Sequence, residues 1–136
     1  GKVMGRHAAH NLLPDGFFEG IDLVIPVPLH PARLKQRGYN QSEWIARGIS
    51  EVTQIPVNTD AVYRIGNNST QTKKSAWERL EAVQGIFAVR NEEDLEGKHI
   101  LLVDDVLTTG ATLLSCASEI IKAKGTRISM LTLAAV

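Results

Sequence analysis

Apolar residues in this chain gather in short runs and helix-spaced stripes, and each kind of pattern predicts an element. Residues 1–13 can form a helix leading into a turn at Pro14-Asp15-Gly16. The run D-L-V-I-P-V, Asp22 to Val27, predicts a short buried strand. It ends in a loop marked by Pro26, Pro28 and Pro31, because proline cannot donate to a strand ladder. A helix follows. Asn40 can cap it with Glu43 three residues on, and Trp44, Ile45, Ile49 and Val52 recur at helical spacing. Residues 60–65 and 83–90 read as strands, flanking a polar stretch without periodicity from Gly66 to Lys74. The acidic run Glu92-Glu93-Asp94 reads as a solvated turn.

The last third has the clearest pattern. His99 to Val103 (H-I-L-L-V) is a near-continuous apolar strand, as expected where helices cover both faces of a sheet. From Ala111 to Lys124, a helical stripe runs through Leu113, Leu114, Ala117, Ile120 and Ile121, and Gly125 can follow it as the C′ residue. Residues 127–135 form a further strand. Strand, helix, strand at this spacing is a βαβ unit, which predicts an α/β fold with a mostly parallel central sheet flanked by helices. The 136 residues suit a single domain, 1–136, with no repeat or low-complexity tract.

Between strand and helix lies V-D-D-V-L-T-T-G-A-T, Val103 to Thr112, at the strand's carboxyl end, where open α/β sheets bind ligands. Thr108, Thr109, Gly110, Ala111 and Thr112 open the helix. Backbone N–H groups there lack intrahelical partners and sit at the positive end of the dipole, which favours a phosphate. Gly110 allows a tight turn and the threonine hydroxyls add donors. The carboxylates of Asp104 and Asp105 would repel that phosphate, but they can accept hydrogen bonds from the vicinal hydroxyls of a sugar. Phosphate and diol together describe a phosphorylated ribose. An adjacent Asp pair also opens phosphate-receiver domains, but only 31 residues follow Asp105, too few for the rest of such a domain. A plain helix cap would not call for two acids. Neither G-x-G-x-x-G nor G-x-x-x-x-G-K-[ST] occurs.

Composition narrows the ligand. Fifteen basic residues balance fifteen acidic ones, which argues against a coat for nucleic acid. The balance is uneven along the chain: residues 28–79 hold eight bases and four acids, residues 80–119 two bases and eight acids. The single Cys116 permits neither an intrachain disulfide nor a cysteine-based zinc site, and His7, His10, His30 and His99 lack the H-E-x-x-H spacing of a metal centre. No apolar run approaches the ~18 residues of a membrane helix, so a cytoplasmic protein is expected. Gly1 rather than Met opens the chain, as expected of a fragment.

The segment I-L-L-V-D-D-V-L-T-T-G-A-T, Ile100 to Thr112, resembles the signature of the type I phosphoribosyltransferases. The resemblance implies that Asp104 and Asp105 contact the ribose hydroxyls of 5-phosphoribosyl-1-pyrophosphate and that Thr108 to Thr112 bind its 5′-phosphate. It also implies Mg²⁺ carried by the pyrophosphate, with no direct protein ligand. V-P-L-H-P-A-R-L-K-Q-R-G-Y-N-Q, Val27 to Gln41, is similar to the pyrophosphate loop of the ComF family, which includes GntX-like proteins. Arg33, Lys35 and Arg37, with Gly38, put three cations beside a strand end, where a leaving pyrophosphate would need charge stabilisation. Arg64 and then T-Q-T-K-K-S-A-W-E-R, Thr70 to Arg79, resemble that family's small mobile hood, with Gln71, Lys73 and Arg79 placed to reach over bound phosphates. Ala82 stands where the family carries asparagine. The resemblance covers about residues 20–135, and the cysteine-rich zinc module that usually precedes this domain in the family has no counterpart here.

The expected activity is transfer of phosphoribose to a nitrogen acceptor with release of pyrophosphate, within nucleoside metabolism. Arg37, Lys73, Asp104 and Asp105 are the expected catalytic residues, and a small phosphorylated ribose is the expected ligand. Glutamine hydrolysis is not expected, since it needs an amino-terminal cysteine and Cys116 lies beside a helix's apolar stripe. The alternative is a phosphoribosyl- or nucleotide-binding module without turnover, assisting DNA uptake in competent cells. Two Trp, two Tyr and three Phe offer few stacking surfaces, so DNA contact is not expected from this domain alone. The sequence leaves a homodimer open.

Overall fold

The computed structural model describes residues 1–65, 86–107 and 110–135. Its centre is a parallel sheet in the order β1-β4-β5, formed by β1 (Leu23–Pro26), β4 (His99–Leu107) and β5 (Arg127–Ala135). Ile25 lies beside Leu102, and Leu102 beside Met130. On the free edge of β1, a single parallel bridge joins Val24 to Val57. A short antiparallel pair, β2 (Val62–Arg64) with β3 (Phe87–Val89), stands apart.

Helices cover both faces of the parallel sheet, and this is why β4 is apolar on both sides. On one face, α1 (Lys2–Leu12) and α3 (Gln41–Thr53) bury Ala9, Ile45 and Ile49 against Val24, Leu101 and Val103. On the other, α4 (Ala111–Ile120) buries Leu113, Cys116 and Ile120 against Ile25, Ile100 and Leu102, with Phe87 of β3 completing the core. Ile100 to Val103 are fully buried. The α/β architecture expected from the sequence is therefore present.

Five elements differ from expectation. Residues 31–37, expected as loop, form a short helix, α2 (Pro31–Arg37). Pro31 stands at its first position, where a missing N–H costs nothing, His30 Nδ1 accepts from the Ala32 amide at 3.0 Å, and Gly38 ends it at φ 84°. β4 does not stop at Val103, because its ladder with β5 continues to Leu107 beside Ala135. The final helix ends at Ile120 rather than Lys124, so Gly125, at φ 74°, turns the chain into β5 and is not its C′ residue. Leu114 and Ile121, assigned to its apolar stripe, face outward, and Cys116 takes the inner position. The strands expected over 60–65 and 83–90 are shorter, and residues 83–85 lie outside the described residues.

α1 and α3 meet through glycines. A Cβ on Gly5 would collide with the Ile45 carbonyl, and one on Gly48 with the Lys2 carbonyl and the Arg6 amide. Backbone cannot rotate out of the way as a side chain can. Gly48→Ala gains up to about 1 kcal/mol of helix propensity, but forced separation of packed helices costs about 1–3 kcal/mol. Urea unfolding should show Gly48→Ala to be about 1–2 kcal/mol less stable than the parent. A variant as stable as the parent would mean that the two helices do not touch there.

Candidate functional site

A cavity of about 250 Å³ opens at the carboxyl ends of β1 and β4. Its position follows from the sheet: both strands leave the core in the same direction, and the residues beyond their apolar runs converge. From β4 come Asp104 and Asp105; from the β1 end and α2 come Pro28, Leu29, Arg33 and Arg37; Asn40, Gln41 and Ser42 begin α3; Arg64 ends β2; Thr112 opens α4. A small adjoining hollow of about 30 Å³ lies against Asp104, Val106, Leu107, Gly110 and Thr112.

Asp104 is the centre of the hydrogen bonding. Its Oδ1 accepts from Ser42 Oγ at 3.1 Å and from the Asp105 amide at 2.9 Å, while Asp105 Oδ1 accepts from the Val106 amide at 2.9 Å. Asn40 holds the first turn of α3 in place. Its Oδ1 accepts from the Ser42 amide at 3.0 Å and its Nδ2 donates to the Val27 carbonyl at 3.1 Å, tying the helix start to the end of β1. Burial pushes the Asp104 carboxyl up to about 6, and the Asp105 charge adds to this, against the lowering effect of the Asp105 amide and Ser42 hydroxyl. Arg64 is pulled down from its ordinary value by burial first and by Arg33 next, with Asp104 opposing. Its guanidinium lies over the Phe87 ring, 5.4 Å from the centroid. Burial also pushes the Cys116 thiol up to about 12, which suits a packing residue and not a nucleophile.

Of the residues chosen from sequence, the structure brings together Arg33, Arg37, Asp104, Asp105 and Thr112, with Gly110 at the adjoining hollow. Gly110 takes φ 81°, a left-handed conformation natural to glycine, and caps α4 without a side-chain oxygen. Lys35 lies exposed on α2 and does not line the cavity, nor does Gly38 at that helix's end. Thr108 and Thr109 lie outside the described residues, as do Gln71, Lys73, Arg79 and Ala82. Asn40 and Gln41, which end the segment similar to the pyrophosphate loop, line the cavity, and Ser42 lines it just beyond that segment. The helix-cap pattern at Asn40 was the available signal, since a helix starting beside a strand end directs its first turn at the same space. Arg64, which the resemblance groups with the hood segment, lies at the cavity wall.

The arrangement has two poles. Carboxylates at β4 can accept from hydroxyls, and arginines on α2 and β2 can hold a compact polyanion. Among the described residues, no group of three His, Cys, Asp or Glu side chains is placed to hold a metal ion. Among them, too, no helix is long and apolar enough to cross a membrane.

These elements make up a type I phosphoribosyltransferase fold, and the family model described as "phosphoribosyl transferase domain" matches residues 16–136. The chain belongs to that family, and within it to the ComF-like proteins. It is 36% identical over 121 residues to competence protein ComFC of Bacillus subtilis, covering 88% of this chain and 45% of that protein. It is 34% identical over 93 residues to competence protein F of Haemophilus influenzae, covering 68% and 41%. With the DNA utilization protein YhgH of Escherichia coli it shares 33% over 101 residues, covering 74% and 44%. The chain thus spans less than half the length of these relatives. Among solved structures, it is similar to the glutamine phosphoribosylpyrophosphate amidotransferase of B. subtilis, with TM-score 0.62, 21% identity, and coverage of 96% of this chain and 25% of that one. The purine phosphoribosyltransferase of Pyrococcus horikoshii gives TM-score 0.60, 19% identity, 97% and 73%. At such identities the likeness concerns the fold.

The raised Asp104 carboxyl has a consequence for stability. An unfolded Asp loses its proton near pH 4, whereas the folded one keeps it to about 6. Folding therefore takes up a proton between these values, so this contribution is present at low pH and lost as pH rises through about 6. Asp104→Asn keeps an oxygen for Ser42 Oγ and the Asp105 amide but carries no charge. It should melt a few degrees above the ligand-free parent at pH 7.5, with the difference shrinking towards pH 4. Equal melting at both pH values would contradict the buried-charge assignment.

Proposed function

We propose that this domain binds 5-phosphoribosyl-1-pyrophosphate with Mg²⁺ and transfers phosphoribose to a nitrogen acceptor, releasing pyrophosphate. The observation that supports it best is the cavity's polarity: Asp104 and Asp105 at one wall, Arg33, Arg37 and Arg64 at another, and the α4 start adjoining. A phosphorylated ribose carrying a pyrophosphate needs a diol site between two anion sites, and Asp104 borders both the arginine-lined cavity and the hollow at the α4 start. The Asp pair would accept from the 2- and 3-hydroxyls, Gly110 to Thr112 would receive the 5′-phosphate at the helix start, and the arginines would hold the pyrophosphate.

In the reaction the bond from C1 to the pyrophosphate oxygen breaks, the acceptor nitrogen bonds to C1, and the nitrogen's proton leaves to solvent or pyrophosphate. The ribose passes through an oxocarbenium-like state, so the residues' task is to hold both anionic ends and fix the sugar between them. Arginines fixed on a short capped helix and a strand end would stabilise charge as it builds on the leaving group. No described cavity residue stands out as a general base, and the acceptor nitrogen need not have one.

The donor set suits Mg²⁺ held by pyrophosphate oxygens and water. Two carboxylates border the cavity without forming a cage, and a small hard cation usually keeps several waters and uses substrate phosphates. When bound, the ion would neutralise charge on the pyrophosphate.

A second reading draws on the relatives named for competence and DNA utilization: a phosphoribosyl-binding module, without turnover, within a longer protein that assists DNA uptake. Acceptor-dependent release of pyrophosphate, assayed over a panel of bases and amines, separates the two readings. Release with any acceptor supports transfer; none supports binding alone.

For the shared claim of donor binding, calorimetry with Mg²⁺ should show the Asp104→Asn, Asp105→Asn double variant binding phosphoribosyl pyrophosphate at least tenfold more weakly than the parent. Its affinity for pyrophosphate alone should change little. Arg33→Ala with Arg37→Ala should weaken both ligands. Equal donor binding by the Asp double variant would sink the diol assignment.

A further inference from the structure

A second cavity, of about 270 Å³, lies behind α2. It shares Pro28, Leu29, Asn40 and Arg64 with the first, so the two adjoin. α2 borders both. Arg33 and Arg37, one turn apart, line the first cavity, while Pro31 and Leu34 line the second. No residue of α2 is buried. Its position therefore depends on its caps and on whatever fills the space beneath Leu34.

The second cavity has a different chemistry from the first. Pro26, Pro31, Leu34, Val62 and Tyr63 give it an apolar surface. Arg64 and Arg90 add positive charge, with the Arg90 guanidinium 4.5 Å from the centroid of the Tyr63 ring. The one acid lining it among the described residues, Glu43, is paired with Arg47 at 3.1 Å. An apolar slot with a stacked Tyr–Arg pair and a cationic rim suits a flat ring carrying an anionic group.

We propose that this second cavity binds a planar aromatic or heteroaromatic anion, and that its occupant, pressing on the Leu34 face of α2, adjusts the Arg33–Arg37 face towards the pyrophosphate. The coupling rests on the reading of the first cavity given above; the binding does not. Coupling of this kind is reciprocal, so the occupant and pyrophosphate must change each other's affinity by one factor.

The test uses the whole chain with pyrophosphate and Mg²⁺ for the first cavity and quinoline-2-carboxylate as probe for the second. The probe should bind pyrophosphate-saturated protein one to one, and uncharged quinoline at least tenfold more weakly. Leu34→Glu, which sets a like charge in the slot, should weaken the probe at least tenfold. Arg90→Ala should weaken it several-fold, with melting temperatures confirming that both variants fold. Pyrophosphate affinity should shift threefold or more on probe saturation, and probe affinity by the same factor on pyrophosphate saturation. A probe that fails to bind, displaces pyrophosphate one for one, or binds both variants as it binds the parent overturns the second site. Mutual affinities that do not shift overturn the coupling. If pyrophosphate itself does not bind the parent, the first cavity is misread, and probe binding to parent and Leu34→Glu still decides the second.

Discussion

Everything in this molecule hangs on β4 being buried from both sides and then ceasing to be. Ile100 to Val103 are sealed between α1–α3 on one face and α4 on the other, which fixes the strand's register against β1 and β5. One residue later the chain carries two acids. A carboxylate inside the helical layers would meet a large desolvation cost, so the change from V to D-D marks where the sheet's cover ends. Asp104 sits on that boundary, buried enough that its carboxyl is pushed up to about 6, yet supported by Ser42 Oγ and a backbone amide. The strand thus delivers charged groups at a fixed height above a rigid floor. The segment after β1 and the starts of α3 and α4 then face the same point, because they lie at the carboxyl ends of the parallel strands.

That geometry reconciles a neutral chain with the highly charged ligand proposed for it. Charge separation runs along the sequence, with bases in residues 28–79 and acids in 80–119. Arg33, Arg37 and Arg64 come from the first region, Asp104 and Asp105 from the second, and both line one cavity. Arg64 shows the tension most clearly: burial and Arg33 disfavour its charge while Asp104 favours it. A polyanion entering beside these arginines would relieve the repulsion between them.

Much of this was legible in the sequence, for physical reasons that differ by element. β4 was legible because a strand covered on both faces must be continuously apolar, and Gly110 because a tight turn into a helix favours glycine. Cys116 read as packing and is packed. α2 was not legible: three prolines in six positions argue for loop, and the helix is held by an imidazole cap and a terminal glycine, not by an apolar stripe. Leu114 and Ile121 misled in the opposite way, since their helical spacing matches the stripe while their direction is outward. The cap at Asn40 points the first turn of α3 at the cavity, but the bond from Ser42 to Asp104 is not legible, because the two residues lie sixty-two positions apart. Gln71, Lys73 and Arg79, with Thr108 and Thr109, lie outside the described residues, so the hood and part of the phosphate loop stay with the family resemblance.

The most direct test of the central claim, that β4 presents its Asp pair to a sugar diol between two anion sites, is a crystal structure of the chain with phosphoribosyl pyrophosphate and Mg²⁺. The ribose hydroxyls should lie within about 3 Å of the Asp104 and Asp105 carboxylates. The 5′-phosphate should rest against Gly110 to Thr112 and the pyrophosphate against Arg33 and Arg37. A ligand bound in reverse, with the pyrophosphate at the α4 start, or a sugar away from the Asp pair, would contradict it.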